Sequence, residues 1–105
     1  MGRQQLLLRQ ELTVSQILRT YGKQYRQITE RYSDGQDGRC ALGVIMSYYG
    51  WNGQDDSQAS SQLLGVLIAL RYAGIDKNQI IEMNDSGFTF NEIADYIDRH
   101  YEMPK

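Results

Sequence analysis

GRCALGVIMSYYGWNG, residues 38 to 53, is the stretch on which the fold turns. At helical spacing Leu42, Ile45, Met46 and Tyr49 share one broad face, while Cys40, Ala41, Val44 and Tyr48 leave hardly any polar side for water. A helix of that kind over residues 40–49 is expected to be buried on most sides. Gly43 and Ser47, four apart, form a narrow strip along which another backbone can come close. The second apolar run, LLGVLIAL at residues 63–70, carries a matching strip of Gly65, Ala69 and Ala73. The two helices are therefore expected to cross there with little side chain between them. A helix glycine costs about 1 kcal/mol relative to alanine, and close packing is the expected reason for keeping two.

Outward from that pair, the spacing predicts capped helices on both sides. Thr13 to Gln16 fits a capping box with Leu12 and Ile17 as its hydrophobic staple. The helix that starts there is expected to run to Tyr32, because Val14, Leu18, Tyr21, Tyr25, Ile28 and Tyr32 follow alternating steps of four and three, a heptad seam. The seam has two uses: docking on the central helices of its own chain, or pairing with its copy in a homodimer. Tyr21, Tyr25 and Tyr32 make it a candidate interaction seam, although each buried hydroxyl needs a partner, which favours docking within the chain. A loop over residues 33–38 follows. Asp55, Asp56 and Ser57 offer N-caps for the second apolar helix, and Gly74 is placed to end it. Asp76 with Gln79 opens a short helix to about Met83, Asn84-Asp85-Ser86-Gly87 turns the chain, and Thr89 with Glu92 opens the last helix, which buries Phe90, Ile93, Ile97 and Tyr101. Only Gln79 to Met83 and Phe88 to Phe90 leave room for a short strand. The expected class is all-α: one compact domain of four to five helices over residues 13–105, with two central apolar helices. Residues 1–12 precede it as an arm or a short helix.

A chain of 105 residues with a single cysteine needs no disulfide or metal staple and has no apolar run approaching the roughly 20 residues that cross a bilayer. A cytoplasmic, reducing location is expected, with no membrane contact and no cofactor. The net charge of −2 hides an asymmetry: residues 1–31 hold six Lys and Arg against two acids, and the remainder holds five against eleven. Arg19, Lys23 and Arg26 are thus candidate contacts for nucleic acid or for a partner. The competing reading lays the basic helix on the chain's own acidic body, and it is preferred.

The chemistry-bearing residues are sparse. Cys40 at a helix start is where a dipole lowers a thiol pKa, but the lone histidine, His100, lies at the far end of the chain. One Cys and one His cannot furnish a zinc site, and the acidic run at residues 82–92 fails the register of a calcium loop, so no metal is expected. Helices 75–83 and 90–101 have helix-turn-helix spacing, yet the second would present Asn91, Glu92, Asp95, Asp98 and Glu102 to DNA phosphates, the wrong sign.

Cys40-Ala41-Leu42-Gly43, followed some forty residues later by Asn84-Asp85 and then by Thr89 with Glu92-Ile93, resembles a family of small uncharacterised bacterial and phage domains. That family shows a Cys-Ala-Leu-Gly helix start and an Asn-Asp turn ahead of a capped helix. Its members carry no established activity, so the resemblance implies architecture for Cys40, Gly43, Asn84 and Asp85. This chain departs from it at Glu82-Met83, where the family has a large apolar residue. One physical expectation follows: Asp85 accepts hydrogen bonds from amides at the start of the Cys40 helix. In function, a non-enzymatic helical module acting through protein contacts, as a homodimer or with another protein, ranks first. A nucleic-acid-binding accessory protein using the basic N-terminal helix is the alternative, and an enzyme built on Cys40 comes third.

Overall fold

The computed structural model describes residues 12–54, 63–68, 70–71 and 74–100. The expectations for residues 1–11, for the N-caps at residues 55–57, and for Ala69, Ala73 and Tyr101 lie outside them. Within them the fold is mostly helical, with one small element the sequence did not announce. Helix α1 spans Val14–Tyr21, a 3-10 turn follows at Gly22–Gln24, and strands β1 (Arg26–Gln27) and β2 (Gly38–Arg39) pair in parallel. Helix α2 is Ala41–Tyr48, residues 63–68 and 70–71 are helical, α3 is Lys77–Asp85 and α4 is Phe90–His100.

Helix α2 is the buried centre: each residue from Ala41 to Met46 is inaccessible to water. Around it lie Ile17 and Leu18 of α1, Val66 and Leu70, Ile80 and Met83 of α3, and Ile93 and Ile97 of α4. The capping chemistry forms largely as expected. Thr13 and Gln16 exchange both hydrogen bonds of a capping box, as do Thr89 and Glu92, while Asp76 caps α3 through the Asn78 amide at 2.9 Å. Gly74 has φ +77°, its amide reaches the Arg71 carbonyl, and the next amide, of Ile75, reaches Leu70. That is the double bond of a Schellman stop, with Leu70 and Ile75 buried together beneath it. The same pattern ends α2 and α3, so each helix is halted by local backbone chemistry.

Four expectations are corrected. The helix of residues 13–32 ends at Tyr21: Gly22 lies against the Phe90 ring, Tyr25 turns extended into β1, and β-branched Ile28 and Thr29 begin the loop that follows it. The heptad seam therefore does not exist as one helix face. The strand lies at 26–27 and 38–39, not at 79–83 or 88–90, because a ten-residue loop returns the chain beside itself. Finally, the close approach at Gly43 is real but its partner is different. A Cβ there would overlap the Tyr32 carbonyl oxygen, and Ser47 accepts from Arg39 Nε at 2.9 Å. The loop before α2 occupies the Gly43–Ser47 strip, whereas Gly65 is exposed with nothing within 4 Å of its Cβ direction. The expected glycine-to-glycine crossing is absent. Asn84 and Asp85 also belong to the last turn of α3, two residues past its expected end, and the chain turns at Ser86–Gly87.

Candidate functional site

Polar side chains gather at the junction of the α2 start with the end of α3. Asn84, only 1% exposed, places its Oδ1 where it accepts from the Ala41 amide at 3.0 Å and from Gln27 Nε2 at 2.8 Å. Its Nδ2 donates to the Ile28 carbonyl at 2.8 Å. Cys40 is the N-cap of α2, with Sγ accepting from the Gly43 amide at 3.4 Å and the Cys40 amide donating to the Tyr32 carbonyl. Asp85 does not reach the helix start. It accepts instead from the amide of Glu30, whose φ of +69° marks a tight bend. The capping role expected of Asp85 thus belongs to Asn84, because a neutral carboxamide can both accept and donate while fully buried, and a carboxylate would be desolvated there.

Beside this junction opens a cleft of about 210 Å³, lined by Glu30, Arg31 and Tyr32 of the loop, Cys40, and Ile81 and Asp85 of α3. The thiol at its edge is 7% exposed. Burial pushes the Cys40 thiol above its ordinary value, and the Asp85 charge adds to this; the amides of Gly43 and Leu42 pull the other way without cancelling it. At neutral pH the sulfur is a protonated thiol. No histidine lines the cleft: His100 stacks on Tyr96 at 4.2 Å between ring centroids on α4.

A second polar cluster surrounds Arg39, 5% exposed and without a carboxylate partner among the described residues. Its guanidinium donates to the hydroxyls of Ser47 and Ser33 and to the Gln36 and Gly38 carbonyls, at 2.7 to 3.0 Å. It lies 4.6 Å from the Tyr25 ring centroid and 5.8 Å from that of Trp51. Neutral acceptors and two aromatic faces hold the buried cation, which clamps the 33–38 loop onto α2. A lone Arg within an apolar stretch gave no sign of this in the sequence, since its partners come from four separate segments.

The candidate basic contacts are mostly engaged within the chain. Arg19 pairs with Asp95 at 2.8 Å and Asp98 at 2.7 Å, tying α1 to α4, and Arg26 pairs with Asp34 and Asp37 in the β1–β2 loop. Lys23 is exposed in the 3-10 turn. The three tyrosines separate: Tyr21 meets the Tyr48 ring edge-on at 4.9 Å, Tyr25 lies under Arg39, and Tyr32 lines the cleft. None of the three shares an element with another beyond the end of α1.

One surface was missed altogether. In the helical segment after residue 62, Val66 and Leu70 are buried, whereas Leu64 is 61% and Ile68 60% exposed. The signal is present in the sequence, since LLGVLIAL is apolar all round, but the expectation placed this helix at the centre of the fold, crossing the helix of residues 40–49. In comparison with known proteins, the chain matches no protein-family model, no curated protein and no solved structure.

Proposed function

We propose that this chain is a non-enzymatic interaction module that works through an apolar contact face centred on Leu64 and Ile68. The observation that carries the reading is their exposure one turn apart, opposite Val66 and Leu70, which are in the core. A large aliphatic side chain gains about 1.5–3 kcal/mol on full burial, so each of these two leaves roughly half of that unrealised in the isolated chain. A partner surface would realise it. The non-enzymatic part is supported by the thiol at the Cys40 cleft, protonated and with no imidazole beside it. The nucleic-acid alternative draws less support, because Arg19 and Arg26 each already hold two carboxylates. The roles of Cys40, Gly43 and Asn84 at one junction support reading the Cys-Ala-Leu-Gly and Asn-Asp motifs as architecture.

The test uses an environment-sensitive apolar fluorophore with dilute native protein. The native chain should bind the dye, and Leu64→Lys with Ile68→Lys should abolish the signal while circular dichroism and Tm stay unchanged. Equal dye binding by the double variant, or none by the native chain, refutes the reading.

A further inference from the structure

We infer that Asn52 is a site of self-modification: its side-chain amide is lost to attack by the Gly53 nitrogen, and the isoaspartyl product releases the loop of residues 33–38 from its clamp. Asn52 is exposed in the turn after α2, and the residue that follows has no side chain to screen its nitrogen. The Asn52 Oδ1 accepts from the Gln54 amide at 2.8 Å. That bond closes an Asx turn, which curls the side chain over the Gly53 peptide and sets Cγ beside its nitrogen. The same N–H polarises the carbonyl that must carry negative charge during attack. The Gly53 nitrogen gives its proton to water and bonds to Cγ, closing a succinimide; the Cγ–Nδ2 bond breaks and ammonia leaves with a proton from water. A water molecule then opens the ring at either carbonyl, giving aspartate or isoaspartate. Other sites lack this arrangement. Asn78, Asn84 and Asn91 lie within α3 and α4, where the helix fixes the following amide and a side chain covers it. Asp34 and Asp37 also precede glycines, but both carboxylates hold Arg26, and an ionised carboxylate is a poor electrophile.

The consequence follows from what residues 52–54 hold. The Gly53 carbonyl accepts from Ser33 Oγ at 2.8 Å, Gln54 Nε2 donates to the Gly35 carbonyl at 2.6 Å, and Gly53 packs so closely on the Arg39 guanidinium that a Cβ would overlap it. Isoaspartate routes the main chain through Cβ and Cγ, one carbon longer, and displaces Gly53 and Gln54 from those partners. The former Asn52 carbonyl, 3.5 Å from Arg39 Nη2, becomes a free carboxylate that competes for the guanidinium with the neutral acceptors of Ser33 and Gln36.

The test incubates the full chain in mildly alkaline buffer at physiological temperature. A form richer by one negative charge should accumulate on anion exchange, and peptide mapping should place isoaspartate at residue 52 while Asn78, Asn84 and Asn91 remain amides. Asn52→Gln, whose longer side chain cannot close the same ring, should accumulate none. Conversion in the native chain should keep pace with that in the urea-unfolded chain; a lag beyond about tenfold, or about 1.4 kcal/mol of added barrier, would mean that the fold shields the site and overturns the proposal. So would modification confined to another asparagine. In the purified isoaspartyl form the Gly35 amide, held in the native chain by Ser33 Oγ at 2.9 Å, should exchange its hydrogen about tenfold faster. Freshly prepared Asn52→Asp carries the same charge on an unlengthened backbone and should keep native exchange. Equal acceleration in Asn52→Asp, or none in the isoaspartyl form, overturns the release of the loop by the longer backbone.

Discussion

Asn84 joins the start of α2 to the end of β1 and the residue after it, partners 43 to 57 positions away in sequence. Truncation to alanine would leave the buried Ala41 amide and the half-buried Ile28 carbonyl without that partner, and would leave the Gln27 amide group with the Phe88 carbonyl alone. With about 1–3 kcal/mol for each buried polar group left unpaired, partly relieved by relaxation, Asn84→Ala should lose about 2–4 kcal/mol in urea unfolding. Asp85→Asn keeps an oxygen for the Glu30 amide in an exposed position, and should stay within about 0.5 kcal/mol of the native chain. The two helix glycines make a sharper contrast. Gly43→Ala would drive a methyl into the Tyr32 carbonyl oxygen, which is backbone and cannot swing aside, so a loss of more than about 2 kcal/mol is expected. At Gly65, exposed with open space around it, the alanine methyl meets nothing, and Gly65→Ala should raise stability by about 0.5–1 kcal/mol through helix propensity. Thermal melts of the pair, made at dilute protein, decide whether the signs differ.

The β1–β2 loop shows how one acidic side chain can shape an element. Asp34 accepts from the amides of Gln36 at 2.9 Å and Gly38 at 3.0 Å and holds Arg26, and these bonds fold the chain back so that Gly38 meets Arg26 in register. The Gln36 amide chiefly, then Arg26 and the Gly38 amide, lower the Asp34 carboxyl to about 2 against a little burial working upward. Because the folded value lies below the ordinary 3.8, the support is complete above that pH and is lost as pH falls through about 2. Amide resonances of Gln36 and Gly38 should therefore titrate with a midpoint near 2, and Asp34→Ala should remove that step. An unchanged profile in the variant would detach the loop from Asp34. The same region marks the limit of what the sequence disclosed. Caps and glycine stops are local chemistry, so Thr13, Asp76, Thr89 and Gly74 were legible from residues within five positions. The strand pair, the Arg39–Ser47 bond and the Asn84 junction depend on partners eight to fifty-seven positions away, and no periodicity encodes those. Tyr25, Ile28 and Tyr32 keep helical spacing by coincidence: the Tyr25 ring faces Arg39, and Ile28 and Tyr32 are held through their backbone carbonyls by Asn84 and by the Cys40 amide. Of Cys40, Gly43, Asn84 and Asp85, named in the sequence for the motifs they form, Asn84 and not Asp85 meets the α2 start, and burial decides between the two.

Across the whole molecule, the basic N-terminal third and the acidic remainder are partly neutralised by contact. Arg19 on α1 reaches Asp95 and Asp98 on α4, and Ser15 donates to Asp98 at 2.5 Å beside it. Burial works to raise the Asp98 carboxyl, but the Ser15 hydrogen bond and Arg19 outweigh it and hold it below its ordinary value. These groups are largely solvated, so their worth to stability is modest and screened by salt. Their effect on the surface field is larger. With both carboxylates in place, a polyanion approaching α1 meets Arg19 already balanced; without them it meets Arg19 and Lys23, two uncompensated cations about one turn apart. The native chain, at a net charge of −2, should therefore pass through immobilised heparin at low salt. Asp95→Asn with Asp98→Asn changes the net charge by two and frees Arg19, and this double variant should be retained and elute as salt rises. A control separates net charge from placement: Glu82→Gln with Asp85→Asn makes the same change in charge on α3, away from Arg19, and should elute close to the native chain. Strong retention of the native protein, released only at high salt, would instead return the basic helix to the role of a nucleic-acid contact. Equal retention of the two double variants would mean that bulk charge, and not the α1–α4 pairing, governs what this surface attracts.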